Sequence, residues 1–314
     1  MTAISDEAIL PGWQIDANAC LTLPCPSSMT DAARAFLAKA APEPATPRLA
    51  ATVMLLRPGR RRLVRGDVEV FMLRRSPRMV FAPDALVFPG GGVHPTDAQR
   101  PAWHGPSPSE WGRLLGCSQD QAAAVVTAAV RELFEESGVL LAGDRSGRHV
   151  AGLNTPEWRR DREALTHHEA ALADVLGRRG LVLRSDLLGV RGHWVTPEFE
   201  PRRYDTYFFT ALVPPGQLAH RTTTEAVSQR WLRPKAILQS AACREITVLP
   251  PTAYNIAQLA ECSSVEAFAY ERRILDQVML APIHRPDDSI ALRCRLTDPS
   301  GRAAHATVAS NKER

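Results

Sequence analysis

The clearest hydrophobic pattern in the chain predicts an α-helix from about Gln119 to Ser137. Apolar residues recur there at three- and four-residue spacing, so they share one side of a helix: Val126, Ala129, Val130 and Leu133. Ser118 is a residue type that caps the first turn of a helix, and Gly138 is a type that ends one. One side of this helix is therefore predicted to pack against a core, while the other side faces a cleft.

Apolar stretches with alternating or β-branched residues predict four strands, at residues 48–56, 68–73, 188–195 and 204–213. Thr155 and Pro156 predict the start of a long helix that continues to about Leu176. Further helices are predicted in the C-terminal part of the chain, at residues 234–240, 251–261 and 264–277.

The polar side of the first predicted helix carries three glutamates within about one turn. Glu132 lies three residues before Glu135 and four before Glu136, so the three carboxylates share a face and repel one another. This crowding favours a bound divalent cation with a preference for oxygen ligands, Mg²⁺ or Mn²⁺. Arg131 lies one turn before Glu135, where a guanidinium can brace a carboxylate. The alternative is an amphipathic helix with a solvated acidic face.

An apolar stretch upstream of this helix ends in a glycine cluster, Gly90, Gly91 and Gly92. Glycine allows the backbone to come close to a phosphate group, so the cluster is a candidate for binding a diphosphate. Asp97 follows Gly91 after five intervening residues.

Together, the glycine cluster and the acidic helix resemble the two halves of the Nudix box. Gly91 stands at the opening glycine of that motif, and Asp97 stands where the family has a glutamate. The second half matches at every defined position: Arg131, Glu132, Leu133, Glu135, Glu136, Gly138 and Val139. Residues from about 98 to 116 read as an insertion between the halves. A split box of this kind is similar to the branch that includes the peroxisomal coenzyme A diphosphatases.

The resemblance implies a Nudix fold, an α/β (α+β) architecture in which a mixed β-sheet is sandwiched between helices. It also implies metal-dependent hydrolysis of a diphosphate, with Glu132 and Glu136 as the principal metal ligands and Arg131 holding the acids in place. Glu135 is expected to bind a second metal ion or to act as the general base together with Glu225, which precedes a Trp-bearing strand. The glycine cluster is expected to present its backbone to the diphosphate, and Asp97 is a candidate additional acid.

A second signature lies upstream of the box and resembles the coenzyme A signature of some Nudix diphosphatases. Arg75, Ser76 and residues 88–91 match it in register, whereas Val80 replaces an arginine and Asp84 replaces a glycine. Coenzyme A or an acyl-coenzyme A is therefore the favoured substrate, with adenosine 3′,5′-bisphosphate and an (acyl)phosphopantetheine as products.

Two alternatives stay open at this point. The first is a diphosphatase for ADP-ribose, NADH or a nucleotide sugar, and the second is a Nudix-type module that binds a nucleotide for regulation without turning it over. Likeness to the same branch continues past the box, through Trp194-x-Thr-Pro and Arg203-x-Asp-Thr. In this segment, Arg202 and Arg203 are candidates for binding a substrate phosphate, with simple exposure as the alternative.

Composition sets the remaining expectations. With 45% hydrophobic and 23% charged residues, the chain is long enough to bury a full core, and a net charge of +4 suits a small polyanion better than nucleic acid. Six cysteines without a Cys-x-x-Cys pair indicate free thiols, and no apolar run indicates a membrane span or a signal peptide, so the cytoplasm is expected. Residues 1–47 are predicted to be an arm, residues 48–286 the Nudix domain and residues 287–314 a disordered tail. Whether the protein dimerises, as many Nudix proteins do, is left open.

Overall fold

The computed structural model describes residues 9–59, 67–78, 82–219 and 226–296. Its strands are β1 (Gln14–Ile15), β2 (Cys20–Pro24), β3 (Arg48–Pro58), β4 (Val68–Arg75), β5 (Ala85–Val87), β6 (Gly90–Gly92), β7 (Trp103–His104), β8 (Ala142–Gly143), β9 (Val182–Arg184), β10 (Gly189–Val195), β11 (Tyr204–Leu212), β12 (Ala226–Leu232), β13 (Thr247–Val248), β14 (Gln277–Met279), β15 (Ala281–His284) and β16 (Ile290–Arg295). Its α-helices are α1 (Thr30–Leu37), α2 (Pro108–Leu115), α3 (Gln119–Ser137), α4 (Pro156–Thr166), α5 (Leu172–Arg178), α6 (Pro234–Ala242), α7 (Pro250–Ala260) and α8 (Val265–Tyr270). None of the helices in these ranges combines the length and the apolar character that crossing a membrane requires.

A mixed sheet of nine strands forms the centre of the fold. Its order is β13-β5-β4-β3-β11-β10-β14, with β12 paired to β4 and β6 paired to β3. The central strand β3 runs parallel to β11 and antiparallel to β4. Because successive side chains of a strand point to opposite faces, β3 supplies two separate cores, with Val53 and Leu55 in one and Met54 and Leu56 in the other.

Helices cover both faces of this sheet. The core on one face contains buried residues of α2, α3, α4 and α5, and the core on the other face contains residues of α6, α7 and α8. A four-stranded sheet, β1-β2-β16-β15, adds its apolar side chains to the second core. The predicted architecture, a mixed sheet sandwiched between helices, is therefore confirmed.

Helix α3 has the bounds that the hydrophobic pattern predicts. The Ser118 hydroxyl accepts a hydrogen bond from the main-chain N–H of Gln121 at 3.2 Å, which satisfies one donor of the first turn. Gly138 ends the helix with a φ of +74°, in the left-handed region that favours glycine, and its N–H donates to the Phe134 carbonyl. Both ends of the acid-bearing helix are thus fixed by residues visible in the sequence.

The long helix predicted from residue 155 to about residue 176 is wrong in its length. Thr155 caps α4 as expected, but α4 ends at Thr166 and α5 begins at Leu172. Between them, His168 has a φ of +57°, which no residue inside a right-handed helix adopts. The charged pattern of this stretch continues through the break, which is why the pattern did not reveal it.

The predicted boundaries at residues 47 and 287 also differ from the structure. Strand β2 lies in the supposed arm, yet Leu21 is fully buried and pairs with Cys294 of β16. Leu292 of β16 is fully buried as well, although it lies beyond residue 286. The two ends of the described chain therefore form one sheet together, and this long-range pairing leaves no local sequence signal. Residues 297–314, the rest of the predicted tail, lie outside the described residues.

The stretch predicted as an insertion, residues 98–116, contributes directly to the core. It contains β7 and α2, and Trp111 of α2 has no exposed surface. The Trp111 ring meets the Phe209 ring of β11 edge to face, with centroids 5.8 Å apart. The insertion is thus a helix that packs against the central sheet beside α3.

Replacing Trp111 with alanine is expected to lower the free energy of unfolding by about 3–5 kcal/mol, because the large side chain leaves a cavity between α2 and β11. Urea denaturation followed by circular dichroism measures this loss. Trp111→Phe keeps most of the volume and is expected to lose less, while Ser109→Ala, at an exposed position of the same helix, is the control. A loss below about 1 kcal/mol for the alanine variant would contradict a core role for the insertion.

Candidate active site

Arg131 is the buried centre of the candidate site, with only 1% of its surface exposed. Its Nε and Nη2 donate to the two carboxylate oxygens of Asp97 at 2.8 and 3.0 Å. Its Nη1 donates to Glu132 at 2.8 Å and to Glu135 at 3.0 Å, and Nη2 also donates to the carbonyl of Gly92 at 3.0 Å. A buried guanidinium requires such partners, and here they connect both halves of the split box. Burial alone opposes the charged form, but these carboxylates together raise the pKa of Arg131.

Asp97 is the bidentate partner of Arg131 and has only 1% of its surface exposed. Besides its bidentate pair with Arg131, its Oδ2 accepts a hydrogen bond from the main-chain N–H of His94 at 2.8 Å, which closes a short turn after the glycine cluster. Both carboxylate oxygens are thus occupied by protein donors. These contacts place Asp97 against Arg131, and its role as an additional acid of the site stays a prediction.

The glycine strand β6 lies directly against two of the glutamates. The N–H of Gly90 donates to Glu136 Oε2 at 2.7 Å. A methyl group on Gly91 would come within 2.5 Å of Glu132 Oε1, and one on Gly90 would come within 2.5 Å of the Ala51 carbonyl. Only glycine allows this close approach between the strand, the acids and the neighbouring strand β3.

Burial changes the acidity of the glutamates. It raises the pKa of Glu132 to about 7, with Arg131 opposing and Glu135 reinforcing the change. Burial also raises the pKa of Glu135, again against the influence of Arg131. Burial is the main cause of both raised pKa values, and the neighbouring acids add to it: Glu135 and Asp97 for Glu132, and Asp97 for Glu135.

The three glutamates offer the oxygen donors that a hard divalent cation prefers. Across the four described ranges, no three His, Cys, Asp or Glu side chains converge as a ready-made metal cluster. Glu132 and Glu135 instead bond to Arg131, and Glu136 bonds to the N–H of Gly90. The donors are all carboxylate oxygens, which suits a hard divalent cation, and such an ion would offset their repulsion. The donor atoms of the glutamates therefore suit the predicted metal ion. To bind it, the carboxylates would exchange their hydrogen bonds to Arg131 and to the Gly90 N–H for bonds to the cation.

Two residues that the sequence analysis missed hold the last turn of α3. Arg162 of α4 is buried and donates from Nε and Nη2 to the main-chain carbonyl of Glu135 at 2.8 and 2.6 Å. Burial lowers the pKa of Arg162 to about 10. Gln229 of β12 donates to the carbonyl of Glu136 at 3.2 Å. In the sequence, Arg162 stands at helical spacing between the apolar residues Trp158 and Leu165, and this spacing could have indicated a buried arginine. No comparable sequence signal indicates the role of Gln229.

The upstream signature begins at the end of β4 and runs into β6. Arg75 is the last residue of β4, and the Arg75 Nε is buried without a hydrogen-bond partner in the described part of the chain. Asp84 has a φ of +60°, which explains a glycine at this position in the signature, and it pairs with Arg74 at 2.7 Å. Val80 lies outside the described residues.

The two arginines predicted to bind a substrate phosphate have different environments. Arg203 is buried and donates to the carbonyls of Thr196 at 3.1 Å and Ala45 at 2.9 Å. Its donors hold main-chain segments together, and binding of a substrate phosphate by Arg203 stays a prediction. Arg202 is exposed and stays a prediction. Glu225, the predicted partner base, lies outside the described residues.

Comparison with known proteins agrees with this geometry. Residues 118–259 match the sequence family described as the NUDT19 Nudix domain. The crystal structure of a Nudix hydrolase from Alicyclobacillus acidocaldarius superimposes with a TM-score of 0.60 at 27% identity, covering 73% of this chain and 98% of that one. In sequence and in fold, the chain is similar to proteins of the Nudix hydrolase superfamily. The resemblance identified from the box residues is thereby confirmed.

Two vertebrate relatives carry the same name, acyl-coenzyme A diphosphatase NUDT19. The protein from Gallus gallus is 29% identical over 266 residues, which cover 69% of each chain. The protein from Homo sapiens is 28% identical over 238 residues, which cover 63% of this chain and 62% of the human one. The chain therefore spans about two thirds of the length of these relatives.

The raised pKa of Glu132 predicts how the stability of the protein responds to pH without metal. The folded state holds the proton up to about pH 7, whereas an unfolded glutamate loses it near its ordinary value of 4.5. Stability from this residue is therefore lost as pH rises from about 4.5 through 7. Relative to the wild type, Glu132→Gln is expected to gain unfolding free energy as pH is raised from about 5 to about 8 in EDTA. Urea denaturation at both pH values measures the difference.

Glu163→Gln, at an exposed position of α4, provides the control and is expected to show no such change. An advantage of Glu132→Gln that is equal at both pH values, or larger at the lower one, would contradict the assigned environment of Glu132.

Proposed function

We propose that the protein is a metal-dependent diphosphatase that hydrolyses coenzyme A or an acyl-coenzyme A, giving adenosine 3′,5′-bisphosphate and an (acyl)phosphopantetheine. The observation that carries this proposal is the contact of Glu132, Glu136 and the glycine strand β6 around the buried guanidinium of Arg131. The substrate class is supported by the relatives named acyl-coenzyme A diphosphatase and by Arg75 in the upstream signature.

In the proposed mechanism, each residue of the site has a stated task. Glu132 and Glu136 would hold Mg²⁺ or Mn²⁺, which neutralises charge on the diphosphate and lowers the pKa of a water molecule when bound. Gly90, Gly91 and Gly92 leave room for the diphosphate to approach the backbone. Arg131 touches the acids and not the substrate, so it keeps the carboxylates in position.

Glu135 is the candidate general base, with Glu225 as the second candidate from the loop before β12. Burial raises the pKa of Glu135 toward the range in which a carboxylate accepts a proton effectively. Its hydrogen bond to Arg131 also fixes the orientation of the carboxylate. Binding of a second metal ion by Glu135 is the other role that we keep for this residue.

One observation favours the alternative substrate class, ADP-ribose, NADH or a nucleotide sugar. Asp84 adds a carboxylate where the coenzyme A signature has glycine, and its ion pair with Arg74 occupies an arginine of this segment. The same hydrolytic residues would serve these substrates, because all contain a diphosphate.

We further propose that the protein is cytoplasmic and binds a small nucleotide and no nucleic acid. A homodimer is one possible assembly, which the molar mass in solution tests.

Turnover of the purified protein on coenzyme A, acetyl-coenzyme A, ADP-ribose and NADH, each with Mg²⁺, Mn²⁺ or EDTA, tests the proposal. Metal-dependent release of adenosine 3′,5′-bisphosphate is expected from the first two. Glu136→Gln is expected to lower the turnover number on the order of a thousandfold while the fold is retained, because a metal ligand is lost. Glu163→Gln is the matched control and is expected to retain activity.

The remaining outcomes separate the alternatives. Preferred cleavage of ADP-ribose or NADH would keep the site and replace the substrate. Binding of these nucleotides without turnover under any metal condition would favour the regulatory module. Full activity of Glu136→Gln would contradict the assignment of the metal ligands.

A further inference from the structure

The last turn of α3 is held from outside the helix. The final carbonyls of an α-helix have no partner within the helix, so helix ends tend to fray. In α3, the Phe134 carbonyl accepts from Gly138, the Glu135 carbonyl accepts from Arg162, and the Glu136 carbonyl accepts from Gln229. Two of the three predicted metal ligands lie in this turn, so its rigidity bears directly on the metal site.

Arg162 is the unusual member of this set, because it is a buried cation bound to a carbonyl. Only 6% of its surface is exposed. Within the described ranges, its guanidinium makes no ion pair with a carboxylate at 4.0 Å or less, and two of its donors are used for one main-chain oxygen at 2.8 and 2.6 Å. Burying an arginine for a single carbonyl is costly, and the positive charge also lies near the acids of α3.

Packing of α4 against α3 sets the position of Arg162. Trp158, one turn earlier on the same face of α4, meets the Phe134 ring edge to face, with centroids 5.8 Å apart and an interplanar angle of 82°. Phe134 directly precedes Glu135 in α3. The aromatic contact therefore fixes how α4 lies on α3. This packing places the Arg162 guanidinium within hydrogen-bonding distance of the Glu135 carbonyl.

We propose that Arg162 is a positioning residue for the metal site. By holding the Glu135 carbonyl, it keeps the last turn of α3 helical and so keeps the Glu136 carboxylate on the same face as Glu132, toward a common cation. Residues that orient metal ligands in this way contribute strongly to metal affinity even though they never touch the metal. The inference rests on the proposed metal-dependent function, and no box residue or relative named above assigns this role to Arg162.

The test is Mn²⁺ binding by the full-length protein without substrate, measured by electron paramagnetic resonance. Arg162→Met and Arg162→Gln remove the charge, Arg162→Lys keeps it, and Arg159→Met changes an exposed arginine of the same helix as the control. The two neutral variants are expected to bind Mn²⁺ about 10- to 100-fold more weakly, and the lysine variant is expected to lie between them and the wild type. The control is expected to match the wild type.

Steady-state kinetics supply a second readout. For the neutral variants, the metal concentration that gives half-maximal turnover is expected to rise by a similar factor, while the KM for substrate at saturating metal stays within about threefold. A purely structural role would lower thermal stability without moving the metal requirement of the folded protein.

Each other outcome has a defined meaning. A folded neutral variant with the Mn²⁺ affinity of the wild type would overturn the inference alone. Failure of both neutral variants to fold would assign Arg162 to general stability and also overturn it. If the wild type itself binds no Mn²⁺, the proposed function fails and the inference fails with it, so the two failures are distinguishable.

Discussion

The buried guanidinium of Arg131 is the interaction on which the site depends. An arginine with 1% exposure is tolerated only when its donors are paired, and here they bind Asp97, Glu132, Glu135 and the Gly92 carbonyl. The same contacts keep acids that repel one another within a single helical face. Removing any one partner would leave charge uncompensated in a buried place, so the arrangement is constrained as a unit.

This constraint explains how a motif interrupted by a long segment still forms one site. Asp97 and Arg131 are 34 residues apart in sequence, yet they share a bidentate ion pair. The intervening chain forms α2, whose Trp111 packs against the central sheet and returns the chain to the start of α3. The inserted segment thus closes the distance between the two halves through its own hydrophobic packing.

Local signals in the sequence were sufficient for the elements that carry chemistry. The bounds of α3 follow from Ser118, Gly138 and the apolar stripe, and the close approach of β6 follows from its glycines. Features that depend on distant partners were not predictable in this way. The pairing of β2 with β16 joins two ends of the chain, and the burial of Arg203 depends on carbonyls from separate segments.

The acids show the same division between local and long-range information. Spacing alone places Glu132, Glu135 and Glu136 on one face, but only the fold shows that Asp97 pairs with Arg131 through both carboxylate oxygens. Arg162 lies in a helix whose sequence gives no reason to connect it with the metal site. Its contact with α3 arises from tertiary packing, which a charge pattern does not contain.

The central claim is that the glutamates organised by Arg131 against the glycine strand bind the catalytic cation. A crystal structure of the protein with Mn²⁺, using anomalous scattering to locate the metal, tests it most directly. Mn²⁺ is expected to be coordinated by carboxylate oxygens of Glu132 and Glu136 beside Gly91, while Asp97 stays paired with Arg131. Mn²⁺ bound elsewhere, or bound through Asp97 with the α3 glutamates uninvolved, would contradict it.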